Sequence, residues 1–288
     1  MRVALIPNLE KPDAVAASLD LEKLLAAKAD VVVLRDPDHA ELRAANANYV
    51  VVLGGDGSIL RIAHAMAGIA APVVGINFGK LGYLAAYSLD EFTQHADAIL
   101  AGRAPVTERL MLEGSICRNG KLPQPHTALP LEPPRFRYAA LNDIVINAGE
   151  PFKMIEIHVR IDDSEATTFR GDGVIVSTSS GSTGYNLSSG GPLITPNVHA
   201  LVLTPICPHS LSFRPVVIAD TSTVVLHPHR VNPGTKVVFD GQVVEPLSVE
   251  ECVIVRRTPH PLRLVENPAM SHWQMLANKL HWAQSPRP

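Results

Sequence analysis

Hydrophobic positions in the first hundred residues fall into short continuous runs separated by stretches with a helical stripe. Val3–Ile6, Val31–Leu34, Tyr49–Leu53 and Pro72–Ile76 are rich in Val, Ile and Leu and too short for helices, so each is predicted as a buried strand. Residues 13–27 carry Val15, Leu21, Leu24 and Leu25 on a rough helical stripe, and Leu89–Leu100 also reads as a helix. Continuous β-branched runs alternating with helices predict an α/β domain over residues 1–105, built on an open parallel sheet covered on both faces.

After Pro105 the pattern changes. Short alternating or β-branched runs recur at Val106–Glu113, Ala140–Ile146, Ile155–Ile161, Val174–Ser177 and Leu201–Thr204. Others follow at Val216–Ile218, Thr223–Leu226, Lys236–Phe239 and Cys252–Arg256, with Pro and Gly between them. This punctuation predicts a mostly β second domain over residues 106–264. Residues 119–134 are polar and proline-rich and read as an exposed loop or insertion. Residues 271–282 have helical character, and the tail 265–288 is expected to pack back on the first domain, anchored by Trp273 and Trp282.

Bulk composition narrows the partners. Of the 288 residues 46% are hydrophobic, enough to build a core and to exclude disorder. Net charge is −3 with histidine neutral and Lys and Arg form no block, which argues against nucleic acid as a partner. Cys117, Cys207 and Cys252 are odd in number and far apart, as suits reduced thiols rather than a disulfide framework. No apolar run approaches a signal peptide or a membrane span, so the expected location is cytoplasmic, with no membrane partner.

Two stretches carry candidate chemistry. Gly54-Gly55-Asp56-Gly57-Ser58 follows a strong strand and precedes Ile59, Leu60 and Ile62. Glycines let backbone approach a ligand, and a helix starting near Ser58 would present free N–H groups to phosphate at the carboxyl end of a parallel sheet. The alternative is a tight turn in which Asp56 or Ser58 merely caps the helix. A carboxylate beside phosphate repels it unless it binds a metal or takes a proton, which gives Asp56 a functional reading. The turn is neither a Walker loop nor a GxGxxG fingerprint. The second stretch is Phe169–Asn186, where an Arg170-Gly171-Asp172-Gly173 turn leads through a strand to a loop dense in hydroxyls and glycine. Such loops bond phosphates and ribose, and Tyr185 could stack on a base. Its place between apolar segments argues against a Ser/Gly linker. Asn142-Asp143 reads as a strand-start turn or a ligand-facing pair, and Asp240-Gly241-Gln242 as a hairpin turn. His227-Pro228-His229 reads as a surface turn rather than a metal pair, with no third ligand near in sequence. His209 reads as structural.

Together these pieces resemble the NAD kinase family. The similarity runs from Gly54-Gly55-Asp56-Gly57 through Gly75-Ile76-Asn77-Phe78-Gly79-Lys80-Leu81-Gly82-Tyr83-Leu84, Asn142-Asp143, Gly171-Asp172-Gly173 and Gly181-Ser182-Thr183-Gly184-Tyr185. It continues along Leu203–Pro215 and closes at Asp240-Gly241-Gln242. A lone GGDG is shared with lipid kinases and phosphofructokinases, whereas the ordered set is specific. The family often has Thr-Pro-Thr-Gly-Ser-Thr-Ala-Tyr where this chain has Thr178-Ser179-Ser180-Gly181-Ser182-Thr183-Gly184-Tyr185, a loop made less rigid by losing proline and gaining glycine.

The resemblance implies an α/β and a β-rich domain with a site between them, in a homodimer or homotetramer. It implies ATP or polyphosphate as donor, Mg²⁺ or another divalent cation as cofactor, and no protein-borne metal ligand assigned. By motif, Asp56 would accept the proton of the ribose 2′-hydroxyl of NAD. Asp56, Gly57, Asn142, Asp143, Lys153, Arg170, Asp172, Thr183, Gly184, Tyr185, Asn186, Leu187, Ser188 and Gln242 would contact NAD. Gly54, Gly55, Gly57 and Ser58 would form the donor-phosphate loop. A lipid kinase of the same turn type lacks a basic amphipathic helix here. A dinucleotide sensor without catalysis would have no use for Asp56.

Overall fold

A computed structural model describes residues 1–79, 82–118 and 133–280. The expected loop over residues 119–134 therefore lies almost wholly outside the described residues, as do Lys80, Leu81 and Trp282. Two compact units result, one formed by residues 1–109 and 261–288 and the other by residues 110–260. Among the described residues no helix is long and apolar enough to cross a membrane.

The first unit is built on a six-stranded sheet in the order β2-β1-β3-β4-β18-β5. Its strands are β1 (Arg2–Pro7), β2 (Asp30–Val33), β3 (Tyr49–Gly54), β4 (Val73–Asn77), β5 (Val106–Arg109) and β18 (Leu262–Val265). All pairings are parallel except that of β18 with β5. The run Tyr49–Leu53 is apolar without alternation because β3 is central and covered on both faces. Helix α1 (Pro12–Ala26) packs on the sheet through Ala14, Ala17, Ser18, Leu21 and Leu25. Small side chains thus carry three of those five positions, and the predicted Val15 points outward.

Helix α2 (His39–Ala45) has too few apolar positions to be seen by periodicity. Its sequence signal is the capping box Asp38–Glu41, in which each side chain takes the other residue's backbone N–H. Helix α3 (Asp56–Ala63) follows β3, and α4 (Leu89–Leu100) opens with a second capping box, Ser88–Glu91. Helix α6 (His272–Leu280) closes the described chain. Met275 and Leu276 bury it, while Trp273, expected as an anchor, is 56% exposed.

The predicted run Val106–Glu113 is two strands in different sheets, because the chain leaves the first unit between them. The second unit pairs a sheet ordered β10-β9-β14-β17-β6-β7 with one ordered β13-β12-β11-β8-β15-β16. The first comprises β6 (Leu112–Arg118), β7 (Phe136–Ala140), β9 (Ile155–Ile161), β10 (Ser164–Gly171), β14 (Val224–Arg230) and β17 (Glu251–Arg257). The second comprises β8 (Asp143–Asn147), β11 (Gly173–Thr178), β12 (Ala200–Ile206), β13 (Val216–Ala219), β15 (Lys236–Phe239) and β16 (Val243–Pro246), with the one-turn helix α5 (Tyr185–Ser188) between β11 and β12. Every pairing is antiparallel. Ile157, Val159, Leu226, Val253 and Ile116 from one sheet meet Ile144, Ile146, Val176, Leu203 and Phe239 from the other in one core.

His227-Pro228-His229 is not a surface turn. It lies within β14, with His227 paired to His158 of β9 and the rings of His158 and His229 stacked 5.4 Å apart. The described residues contain no His, Cys, Asp or Glu group suited to a metal ion. All three cysteines are free.

Strand β18 brings Glu266 to a buried guanidinium. Its carboxylate accepts Arg109 Nη2 at 2.5 Å and Thr107 Oγ1 at 2.6 Å, and Arg109 is only 5% exposed. Glu266→Ala would strand that charge, and the expected cost is about 3 kcal/mol, toward the low end because the carboxylate keeps some contact with water. Urea unfolding read beside Thr107→Val, which removes only a hydroxyl, checks this; similar midpoints for the two variants would refute it.

Candidate functional site

At the end of β3 the chain turns through Gly54 and Gly55 and enters α3 at Asp56. Neither reading of Asp56 or Ser58 as a helix cap holds, since α3 has no side-chain cap bond. The Asp56 carboxylate instead faces the loop after β4. Its Oδ2 accepts the Tyr83 N–H at 2.7 Å, and its Oδ1 accepts those of Leu84 and Ala85 at 2.9 and 3.0 Å. Lys279 Nζ, from α6, stands 3.4 Å from Oδ2 and 4.6 Å from the centre of the Tyr83 ring. Glycine is required at 82, because a Cβ there would fall inside the contact radius of Asp56 Oδ1.

Two further bonds fix the turn. Ser58 is buried, and its Oγ accepts Asn8 Nδ2 at 2.9 Å. Lys11 Nζ donates to the carbonyls of Gly54 at 2.9 Å and Phe78 at 2.7 Å, tying the turn to the end of β4. The Tyr83 hydroxyl is buried without a partner among the described residues, and burial followed by the charge of Asp56 raises its pKa. Lys11 and Lys279 were not singled out from the sequence. Lys11 has a positional signal, since it immediately precedes the Pro at the start of α1, after the first strand. Lys279 has none, because 223 residues separate it from its partner.

In the second unit, Asp240 and Gly241 adopt φ of 51° and 69° and close the β15–β16 hairpin, as the Asp-Gly signal predicts. Asp240 also does what that signal cannot convey. Its carboxylate accepts the N–H groups of Leu141 at 2.7 Å, Asn142 at 2.7 Å and Asp143 at 3.0 Å. Asp143 opens β8 and is itself buried. Burial, then the Asp240 charge, pushes the Asp143 carboxyl up to about 7. Asp240 is pushed to about 6 because burial outweighs its three backbone bonds.

The hydroxyl-rich loop after β11 is ordered by its own polar groups. Thr178 Oγ1 donates to Leu141 O at 2.7 Å and accepts the Gly181 N–H at 3.0 Å. Ser182 Oγ donates to Ser179 O at 2.7 Å and accepts the Ile194 N–H at 3.0 Å. Asn186 is fully buried, its amide committed to Ser182 O, Pro192 O and Thr204 Oγ1, so its side chain is structural. Thr183, Gly184 and Leu187 are half-buried, and Ser188 is exposed.

Tyr185 is 43% exposed. Its hydroxyl pKa is raised by burial and then by the charges of Cys207, Asp143 and Asp172. Arg170 pairs with Glu156, and its carbonyl accepts the His209 N–H at 2.8 Å. Asn142 Oδ1 and Ser180 Oγ are buried without a partner among the described residues. Lys153 and Gln242 are exposed. The strand register sets Asn142 and Asp143 beside one end of β11 and Asp172 at the other, while Asn186 is turned into the protein.

This combination of folds is recognised by two family models. The ATP-NAD kinase N-terminal domain matches residues 4–104, and the ATP-NAD kinase C-terminal domain matches residues 141–267. NAD kinase of Syntrophotalea carbinolica is 36% identical over 232 residues, covering 81% of this chain and 77% of the relative. NAD kinase of Geobacter sp. (strain M21) is 33% identical over 297 residues, covering 98% and 99% of the two chains. Among solved structures, an NAD kinase from Archaeoglobus fulgidus in complex with ATP matches with a TM-score of 0.74 at 26% identity, over 93% of this chain and 94% of that one. Yeast NADH kinase complexed with NADH shares the fold with a TM-score of 0.86 at 22% identity, over 100% of this chain and 89% of that one. The chain belongs to the NAD kinase family.

The pH dependence of stability follows from Asp143. A carboxyl whose pKa is raised on folding favours the folded state below its ordinary value, and that contribution is lost as pH rises through the folded value. Stability is therefore expected to fall between about pH 4 and pH 7. Asp143→Asn removes Asp143's share of this decline, leaving that of Asp240, and is expected to be the more stable protein at pH 8. Thermal unfolding from pH 4 to 8 measures it; parallel curves for the two proteins would overturn the assignment.

Proposed function

We propose that the protein transfers the terminal phosphoryl group of ATP to the adenosine ribose 2′-hydroxyl of NAD, giving NADP, with Asp56 as the proton acceptor. The observation that carries this reading is the setting of Asp56. Three backbone amides aim the carboxylate from the mouth of the glycine turn, and nearly a third of the side chain remains open to solvent. Such a group can take a proton without rearranging.

Chemistry then needs little else from the protein than position and charge. The ribose oxygen forms its bond to the terminal phosphorus as the bond from that phosphorus to ADP breaks, and the hydroxyl proton passes to Asp56. Backbone N–H groups at the start of α3, within Gly54–Ser58, face the donor phosphates. Asn142, Asp143, Arg170, Asp172, the Thr183–Ser188 segment, Lys153 and Gln242 hold the dinucleotide. The unpartnered Asn142 Oδ1 supports this, since a buried acceptor without a bond is accounted for by a ligand that supplies one. For Asn186 and Leu187 the contact runs through backbone.

A divalent cation finds no protein-built centre among the described residues. It would be held by the phosphates of ATP, whose charge it would offset. A cytoplasmic location and a homo-oligomeric assembly belong to the same family reading.

Mixing the protein with NAD, ATP and Mg²⁺ is expected to yield NADP and ADP in equal amounts; NAD binding without product would favour a sensor. Asp56→Asn is expected to retain NAD affinity and to lose about 10²–10⁴-fold in kcat. Turnover near that of the parent would refute the base assignment. Gly82→Ala displaces the carboxylate without removing it and is expected to cost about 10²-fold in kcat. Combined with Asp56→Asn it should add little, because both changes disable one group.

A further inference from the structure

The lone-pair count on Asp56 leaves one position open, and a lysine stands at it. Oδ1 already accepts two backbone N–H groups, from Leu84 and Ala85, and Oδ2 accepts one, from Tyr83. A carboxylate oxygen has two lone pairs, so a hydroxyl meeting Asp56 has the second one of Oδ2 available. Lys279 Nζ faces that oxygen at 3.4 Å, a long and easily exchanged contact. A lysine in the last turn of a helix can bond its own terminal carbonyls. This one extends to a residue 223 positions earlier, and its ammonium rests 4.6 Å from the centre of the Tyr83 ring.

We propose that Lys279 is a further catalytic residue, which yields Oδ2 to the acceptor hydroxyl and moves its charge onto the phosphoryl group in transfer. This rests on Asp56 being the proton acceptor. A hydroxyl donating to Oδ2 lies about 2.7 Å from it, and the phosphorus it attacks about 3 Å beyond. An ammonium displaced from Oδ2 but still held over Tyr83 is within reach of the oxygens on that phosphorus. Negative charge is redistributed there as the bond to ADP breaks, and a cation is most effective where charge changes between ground and transition state. Of the two lysines that reach the turn among the described residues, Lys11 is held by two short bonds to carbonyls, whereas Lys279 has the long contact that exchanges more easily.

The test compares Lys279→Met with Lys279→Arg in the full-length protein. Methionine keeps the apolar stem over Tyr83 and removes the charge, whereas arginine keeps a charge. Lys279→Met is expected to lower kcat about 10²-fold, with NAD affinity within twofold of the parent and an unchanged Tm. Lys279→Arg should recover kcat to within about tenfold of the parent, as a displaced but retained cation requires. A Lys279→Met enzyme with parental kcat would overturn the proposal. So would a loss of turnover that tracks a fall in Tm, which would mark α6 as merely structural, or a loss confined to NAD affinity. Asp56→Asn separates the two readings. If Asp56→Asn is inactive and Lys279→Met is normal, only the lysine assignment fails. If Asp56→Asn turns over normally, the base assignment fails, whatever Lys279→Met does.

Discussion

Three backbone amides converging on one carboxylate hold the first unit's ligand-facing end together. Tyr83, Leu84 and Ala85 follow β4, while Asp56 follows β3, and these two strands are parallel neighbours. In a parallel sheet the loops at the carboxyl ends have no ladder to bind them to each other, so their geometry depends on side chains reaching across. Asp56 supplies that link, and Lys11 supplies a second through the carbonyls of Gly54 and Phe78. The same carboxylate is therefore a structural tie and, in the proposed reaction, the group aimed at substrate. Under that proposal, orienting the base costs nothing extra at the moment of reaction, because the backbone already imposes it.

The second unit uses the same device with a different outcome. Asp240 also accepts three consecutive backbone N–H groups, but it is buried and lies next to a second buried carboxyl, Asp143. Low dielectric pushes both toward the neutral form, and the amides restrain Asp240 from following fully. Asp56 keeps solvent on one side and a cation beside it. Identical hydrogen bonding thus gives one carboxylate that serves the fold and one that is available for chemistry, and solvent access makes the difference.

Most of the architecture was legible because the signals were local. Unbroken Val and Ile runs marked β1, β3 and β4 as strands of a covered sheet, and Asp-Gly marked the β15–β16 hairpin. Strands β7, β10, β16 and β18 escaped because charged or short segments alternate weakly, and α2 escaped because its evidence was a capping box rather than a stripe. The run Val106–Glu113 looked like one strand because periodicity carries no information about which sheet a residue joins. At the site, the glycine turn and the residues around Tyr185 stood out by composition. The Lys279 contact did not, since a pairing over 223 positions leaves no trace in spacing. Asn186 had the right chemistry for a ligand, but three internal partners claim it.

Strand β18 lies between β4 and β5 in the first sheet, although the whole second unit separates β5 from it in sequence. A ribosome therefore releases every residue of the 110–260 unit before it releases the strand that completes the 1–109 sheet. Until then β4 has an open edge and β5 has no neighbour at all. The segment that carries Asp56 emerges first, yet its sheet is the last to be finished.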